Sequence, residues 1–189
     1  MVLIAVEGPD NCGKTTLISQ LCELNPDLKT IKFPREINIK PINSSNFYEH
    51  SLELLDDIIK GISEIVANYR DKVILIDRYL LSNRVYSEIA SIHFAKVEPN
   101  NPILLKLIEK IDYTIENSLK PDFTIYCSTV FNNKKLNNYD SDLTFSKMIA
   151  EKYEDLINLP YNGKVIKYNG TDFTTINRII ELLILYKHR

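Results

Sequence analysis

Gly8, Gly13, Lys14 and Thr15 occupy the fixed places of the frame G-x-x-x-x-G-K-T, written here GPDNCGKT. Glycines at those two places let a turn close tightly, so that its backbone N–H groups point inward around phosphate oxygens. A lysine that reaches the transferring phosphate and a hydroxyl offered to magnesium complete a site for phosphoryl chemistry. The expected nucleotide-binding set is Gly8, Asn11, Cys12, Gly13, Lys14, Thr15 and Thr16, with ATP and Mg²⁺ as the cofactors. A second signal is Asp77 followed by Arg78, at the end of the apolar run KVILID. A carboxylate on a strand tip can hold magnesium, or its water, opposite the loop hydroxyl, so Thr15 and Asp77 are the metal candidates. Alone, an Asp-Arg pair there serves equally as an ion pair or a helix cap; the loop upstream favours the metal role. Asp10 is the unexpected residue, an acid inside a turn whose guest is a polyanion.

These residues need elements to hold them. VLIAVE reads as a buried strand, and KTTLISQLCEL follows with Leu17, Leu21 and Leu24 at helical spacing, which is the strand, loop, helix order the motif requires. KTIKF is a second strand stopped by Pro34, and HSLELLDDIIKGISEIVANY a long amphipathic helix. After KVILID come the helical stretches LLSNRVYSEIASIHF and PILLKLIEKIDYTIENSL, broken by AKVEPNN. PDFTIYCS is a fourth strand, LTFSKMIAEKYEDLINL a helix, KVIKY a fifth strand, and TDFTTINRIIELLILYK a final helix with Thr171 or Asp172 as its cap. Strands alternating with helices predict an α/β fold of three layers, a five-stranded parallel sheet with helices on both faces. Ligands of such sheets bind at the carboxyl ends of the strands, which puts the segments after Glu7, Phe33, Asp77 and Cys127 on one rim.

Composition narrows the alternatives. The 189 residues suit one domain, and 44% hydrophobic with 25% charged residues is a globular balance. No run approaches the ~18 apolar residues of a membrane span. A net charge of -2 argues against a general nucleic-acid surface, so phosphate must be held locally. MVLIAV lacks a basic flank and is too short for a secretory signal core. Three cysteines without C-x-x-C spacing suggest neither a disulfide framework nor a zinc site, and a reducing, cytoplasmic setting is expected.

Four blocks in order, VEGPDNCGKTT, Phe33-Pro34, DRYLLSNRVY from Asp77 to Tyr86, and PDFTIY from Pro121 to Tyr126, resemble the thymidylate kinases, phosphate-loop enzymes that phosphorylate a deoxynucleoside monophosphate. The resemblance covers nearly the whole chain, in a P-loop fold. It implies that Asp10 accepts a hydrogen bond from the acceptor sugar's 3′-hydroxyl. It also implies that Arg78 faces the acceptor phosphate and the transferring group, that Tyr79, Ser82 and Tyr86 belong to the acceptor pocket, and that Phe33 walls the nucleoside. Arg35 is the nearest candidate for the arginine that clamps the monophosphate, although the family's arginine commonly lies one residue farther from the proline. Tyr79 and Tyr86 also share a helix face, so packing is an equal reading of their spacing. The partners implied are small-molecule nucleotides and a second copy of the chain in a homodimer.

The pattern departs from the family in three places, of which one is that the lid itself is short. Where the long helix should read thymine with an aromatic and an arginine, it offers Glu53 and Asp57, and no arginine until Arg70. A carboxylate there would accept from an exocyclic amine such as cytosine's, and a solvated helix face is the plainer reading of Asp56 and Asp57. The expected lid, around 128–143, contains no arginine, and Lys134 and Lys135 are the basic residues at its centre. With Lys14 and Arg78 they are the catalytic candidates. The function expected is ATP-dependent phosphorylation of a deoxynucleoside monophosphate, foremost dTMP to dTDP. The alternatives are another deoxynucleotide or a nucleoside as acceptor, or a catalytically weak nucleotide-binding relative.

Overall fold

The computed structural model describes residues 1–35, 43–70, 72–128, 143–170 and 173–187. Five strands, β1 (Val2–Glu7), β2 (Lys29–Lys32), β3 (Val73–Asp77), β4 (Phe123–Cys127) and β5 (Lys164–Tyr168), form one sheet in the order β2-β3-β1-β4-β5. Every neighbouring pair is parallel, as the alternation with helices requires. The helices are α1 (Lys14–Leu24), α2 (Phe47–Asn68), α3 (Leu80–His93), α4 (Pro102–Asn117), α5 (Leu143–Leu156) and α6 (Phe173–Lys187). Thr171 and Asp172, the expected cap of α6, lie outside the described residues.

β1 shows why the molecule has three layers. All six of its residues are buried, and successive side chains leave opposite faces of the sheet. Val2, Ile4 and Val6 enter one core with Leu17 and Leu21 of α1 and Ile176, Ile179 and Leu183 of α6. Leu3 and Ala5 enter the other, with Leu55, Ile58 and Ile65 of α2, Leu80 of α3, and Leu104, Leu107 and Ile111 of α4. A third cluster joins Val85 and Ile89 of α3 to Phe145, Ile149 and Tyr153 of α5 over Tyr126 of β4.

Element ends differ from the expectation by a few residues, for local reasons. β2 stops at Lys32, one residue early: Phe33 still donates to the Asp77 carbonyl at 2.9 Å while its ring packs against Gly61 of α2, and Pro34 then has no N–H to extend the ladder. α2 begins three residues early, at Phe47, which is itself buried in the core. α4 begins where Asn101 accepts from the N–H groups of Ile103 (2.8 Å) and Leu104 (3.4 Å), with Pro102 in the first turn. Among the described residues no helix is long and apolar enough to cross a membrane.

The sheet order brings the carboxyl ends of β1 and β3 side by side, with Val6 opposite Asp77 and the Arg78 N–H donating to the Val6 carbonyl at 3.1 Å. The loops that follow these two strands carry most of the candidate residues.

Candidate active site

The chain turns sharply out of β1 at Gly8, whose φ is 140°, and a β-carbon there would come within 2.4 Å of the Cys127 carbonyl oxygen. Gly8 is therefore required by both backbone angle and space. Gly13 caps α1 in the left-handed region (φ 92°) with open space around it, so conformation alone asks for glycine. No side chain caps α1 and no acid lies in its first turn, which leaves the positive end of the helix available to an anion. Asn11, Thr15 and Thr16 are exposed on the loop and first turn, while the Cys12 side chain is buried in the core with Cys127. Lys14 is buried: its Nζ donates to the carbonyls of Gly8 (2.9 Å) and Pro9 and lies 3.5 Å from Cys12 Sγ. The ammonium thus sits inside the turn it serves, its position set by the loop's own carbonyls.

Asp77, at the tip of β3, is buried, and its Oδ1 has no hydrogen-bond partner. An orphaned buried carboxylate oxygen is costly unless something binds it. A hard oxygen donor of this kind suits magnesium, and Thr15, exposed on the first turn of α1, carries a hydroxyl that could serve as a second ligand. Among the described residues no group of three or more His, Cys, Asp or Glu could enclose a metal. One carboxylate and one hydroxyl fit Mg²⁺, which habitually takes its other ligands from substrate phosphates and water.

On the other side of the loop, Asp10 and the start of α3 meet. Arg78, in a left-handed backbone conformation (φ 66°), pairs with the Asp10 carboxylate and lies with its guanidinium 4.8 Å from the centre of the Tyr86 ring. The Tyr86 hydroxyl donates to Asp10 Oδ2 at 3.0 Å. Asp10, Arg78 and Tyr86 line one cavity of about 300 Å³, together with Phe33, Tyr79, Ser82, Asn83, Ser87 and side chains of α2 and α5. The structure brings these sequence-predicted acceptor residues together.

Two of them have hydroxyls committed to the scaffold. The Ser82 hydroxyl donates to the carboxylate of Glu7 and lies 2.7 Å from the Tyr153 hydroxyl. Glu7 also accepts from the Tyr79 (2.9 Å) and Ser82 (3.3 Å) N–H groups, which ties the tip of β1 to the first turn of α3. Burial pushes the Glu7 carboxyl above its ordinary range, although these bonds and Arg78 oppose the shift. The Tyr79 hydroxyl donates to the Leu119 carbonyl at 2.7 Å, so Tyr79 offers the cavity its ring.

Arg35 does not line the cavity. Its backbone N–H (2.9 Å) and Nε (2.8 Å) donate to the Asp57 carboxylate, and its Nη1 to Glu64 at 2.8 Å. The carboxylates weighed as base readers are likewise elsewhere: Asp57 is engaged by Arg35, Glu53 is exposed, and Asp56 pairs with Lys60 one turn on. Lys134, Lys135 and the expected lid, except for Ser128 and Leu143 at its ends, lie outside the described residues. Sequence reasoning missed His50, Asn83, Ser87, Phe94 and Phe145 on the cavity wall, and Tyr153 behind it. For α3 the signal was present, since residues 79, 82, 83, 86, 87, 90 and 94 follow the spacing of one helix face.

No family model matches the chain. A protein of Methanococcus aeolicus named as a probable thymidylate kinase is 26% identical over 194 residues, spanning 96% of this chain and 93% of its own. The solved thymidylate kinase of Candida albicans superposes with a TM-score of 0.73 over 100% of this chain and 93% of its own, at 19% identity, a likeness of fold. The chain is similar to thymidylate kinases over nearly its whole length. In this chain the phosphate loop lies beside a separate cavity, which an acid of that same loop, Asp10, helps to line.

Proposed function

We propose that the chain transfers the γ-phosphoryl group of ATP to a deoxynucleoside monophosphate, with dTMP to dTDP as its principal reaction. The observation that carries this reading is the meeting of Asp10, from the phosphate loop, with Arg78 and Tyr86 on the wall of a nucleoside-sized cavity. A loop that served ATP alone would gain nothing from a carboxylate; one that also touches an acceptor sugar has a hydroxyl to hold. The Methanococcus aeolicus relative carries the name of this activity.

In this mechanism the loop N–H groups and the α1 N-terminus hold the ATP phosphates, and Lys14 follows the γ-phosphoryl group. Thr15 and Asp77 would hold magnesium, which supplies charge neutralisation across the phosphates. An acceptor phosphate oxygen attacks in line and ADP leaves; the nucleophile is already an anion, so no general base is required. Arg78, drawn from Asp10, faces both phosphoryl groups, and Lys134 and Lys135 add charge from the lid. A homodimer belongs to the same proposal, supported by the exposed Ile59 and Val66 of α2; α3, the other helix expected at that face, has no exposed residue and is packed within the molecule. A cytoplasmic location is part of the proposal as well.

Arg35 favours a second reading. With its guanidinium held by Asp57 and Glu64, the monophosphate clamp is engaged away from the cavity, which is compatible with a nucleoside acceptor. A product-resolved assay of ATP with each deoxynucleoside monophosphate and each matching nucleoside decides between them. Formation of dTDP from dTMP is the expected result; monophosphate products from nucleosides alone would select the second reading.

A further inference from the structure

Cys12 sits in the middle of the phosphate loop and Cys127 at the end of β4, and the fold packs their side chains into one core cluster. Both are buried free thiols. A β-carbon at Gly8 would stand 3.0 Å from Cys12 Sγ and 2.4 Å from the Cys127 carbonyl oxygen, so the two residues close on the same side of Gly8. Lys14 Nζ lies 3.5 Å from Cys12 Sγ. Hydrogen bonding from the Cys127 thiol pulls the Cys12 thiol below its ordinary range, against burial and with the help of the Lys14 ammonium; the same bond, together with burial, pushes Cys127 up. Neither residue lines the acceptor cavity, and apolar packing does not require two sulfurs with an ammonium against one of them.

A thiolate beside a cation is the reactive form of cysteine. Cys12 keeps 6% of its surface exposed and Cys127 none, so a small oxidant entering at the loop meets Cys12 first. With a hydroperoxide as that oxidant, the Cys12 thiolate attacks one peroxide oxygen, the O–O bond breaks, and the departing oxygen takes up a proton, which leaves a sulfenic acid on Cys12. The Cys127 sulfur then attacks the sulfenic sulfur, the S–O bond breaks, and the hydroxyl leaves as water with the Cys127 proton. For hydrogen peroxide the balance is two thiols and one peroxide giving one disulfide and two waters; the sulfurs lose two electrons and the peroxide oxygens gain them. A dithiol reverses the bond by thiol–disulfide exchange.

We propose that Cys12 and Cys127 form a reversible oxidation site, whose disulfide closes the phosphate loop to nucleotide. A bond in place of the present contact draws Cys12 toward the tip of β4, moving its backbone N–H out of the arc around the phosphates, and it removes the thiolate that faces Lys14. Positioned sites tolerate little of this, a shift of about 1 Å being worth about 10²-fold. The proposal rests on the nucleotide-binding part of the reading above.

The test exposes the reduced native chain to hydrogen peroxide, maps its cysteines by mass spectrometry without reduction, and titrates ATP-Mg²⁺ by calorimetry. A peptide linked through Cys12 and Cys127 is expected, with the dissociation constant for ATP raised at least about tenfold and both changes reversed by dithiothreitol. Cys127→Ala, which removes the second sulfur alone, is expected to give no linked peptide and a dimedone-trapped sulfenic acid at Cys12. Cys22, on α1 and outside the cluster, is the internal control. Intact thiols under excess peroxide, linkage through Cys22 instead, or a linked chain with unchanged ATP affinity would each overturn the proposal. Failure of the reduced chain to bind ATP would overturn the nucleotide reading itself, an outcome distinct from the others because the peptide map does not depend on it.

Discussion

Asp10 spends its charge on two neighbours, the Arg78 guanidinium and the Tyr86 hydroxyl, and both belong to the acceptor side of the site. If it also takes the acceptor's 3′-hydroxyl, Asp10→Ala should cost about 1–3 kcal/mol of transition-state stabilisation, read as a fall in kcat/KM for the monophosphate with little change in ATP binding. A 3′-deoxy acceptor should be poor with the native chain yet lose little further with the variant, since both deletions remove one bond. Full additivity would separate Asp10 from that hydroxyl. Glu7 offers a test of another kind. Its folded carboxyl titrates above the ordinary value of 4.5, so the fold binds a proton there more tightly than the unfolded chain. The stability Glu7 contributes is therefore fully present below that ordinary value and is lost as the pH rises through the raised folded one. Relative to Glu7→Gln, the native chain should lose stability from about pH 4.5 toward neutrality, as measured by urea unfolding across that range. A pH-independent difference between the two would show that Glu7 titrates alike in both states. Glu7→Ala should cost more than the glutamine variant at any pH, because the Ser82 and Tyr153 hydroxyls lose their acceptor.

α2 lines the acceptor cavity with His50, Leu54 and Ile58, and it also presses on the Phe33 wall at Gly61. A β-carbon on Gly61 would lie 2.3 Å from the Phe33 ring, the side chain that walls the cavity from the end of β2. Gly61→Ala gains helix propensity but must displace that ring, and overpacking of this kind costs about 1–3 kcal/mol. The expected outcome is a lower melting temperature together with a raised KM for the monophosphate, while KM for ATP stays constant. A variant that gains stability would show that the ring moves freely. α4 supplies the contrast. Asn101→Ala removes the bonds to the Ile103 and Leu104 N–H groups and should cost about 1 kcal/mol in unfolding experiments without altering kcat, since no residue of α4 lines the cavity. The helices themselves were legible from spacing, because an amphipathic stripe is written into consecutive residues. Their ends were less so: Phe47 joins α2 through burial in the core, which spacing does not record.

Across the whole molecule, the sheet order sets the phosphate loop after β1 beside Asp77 on β3, and anything bound there stabilises both strands. ATP with Mg²⁺ at about 100 times its dissociation constant should raise the unfolding free energy by about 2.7 kcal/mol. Lys14→Ala should fold, lose phosphoryl transfer and lose most of that gain; retention of near-normal turnover would refute the loop mechanism. The amino-acid sequence by itself determined the parallel α/β architecture and the loop. Strand burial, helical periodicity and the G-x-x-x-x-G-K-T frame are all short-range patterns, and each segment states its own part. It also carried Asp10, Arg78 and Tyr86 as one acceptor group, through blocks of motif with a known order. Tertiary structure alone decided which side chains remain available. Arg35 stands beside a motif proline yet is held by Asp57, 22 residues away; Ser82 sits within a motif yet gives its hydroxyl to Glu7, 75 residues away. Cys12 and Cys127 are unrelated cysteines in the chain and become a pair only when the fold packs them into one cluster. Hydrogen-bond satisfaction depends on what the fold brings within about 3 Å, and no local pattern encodes that.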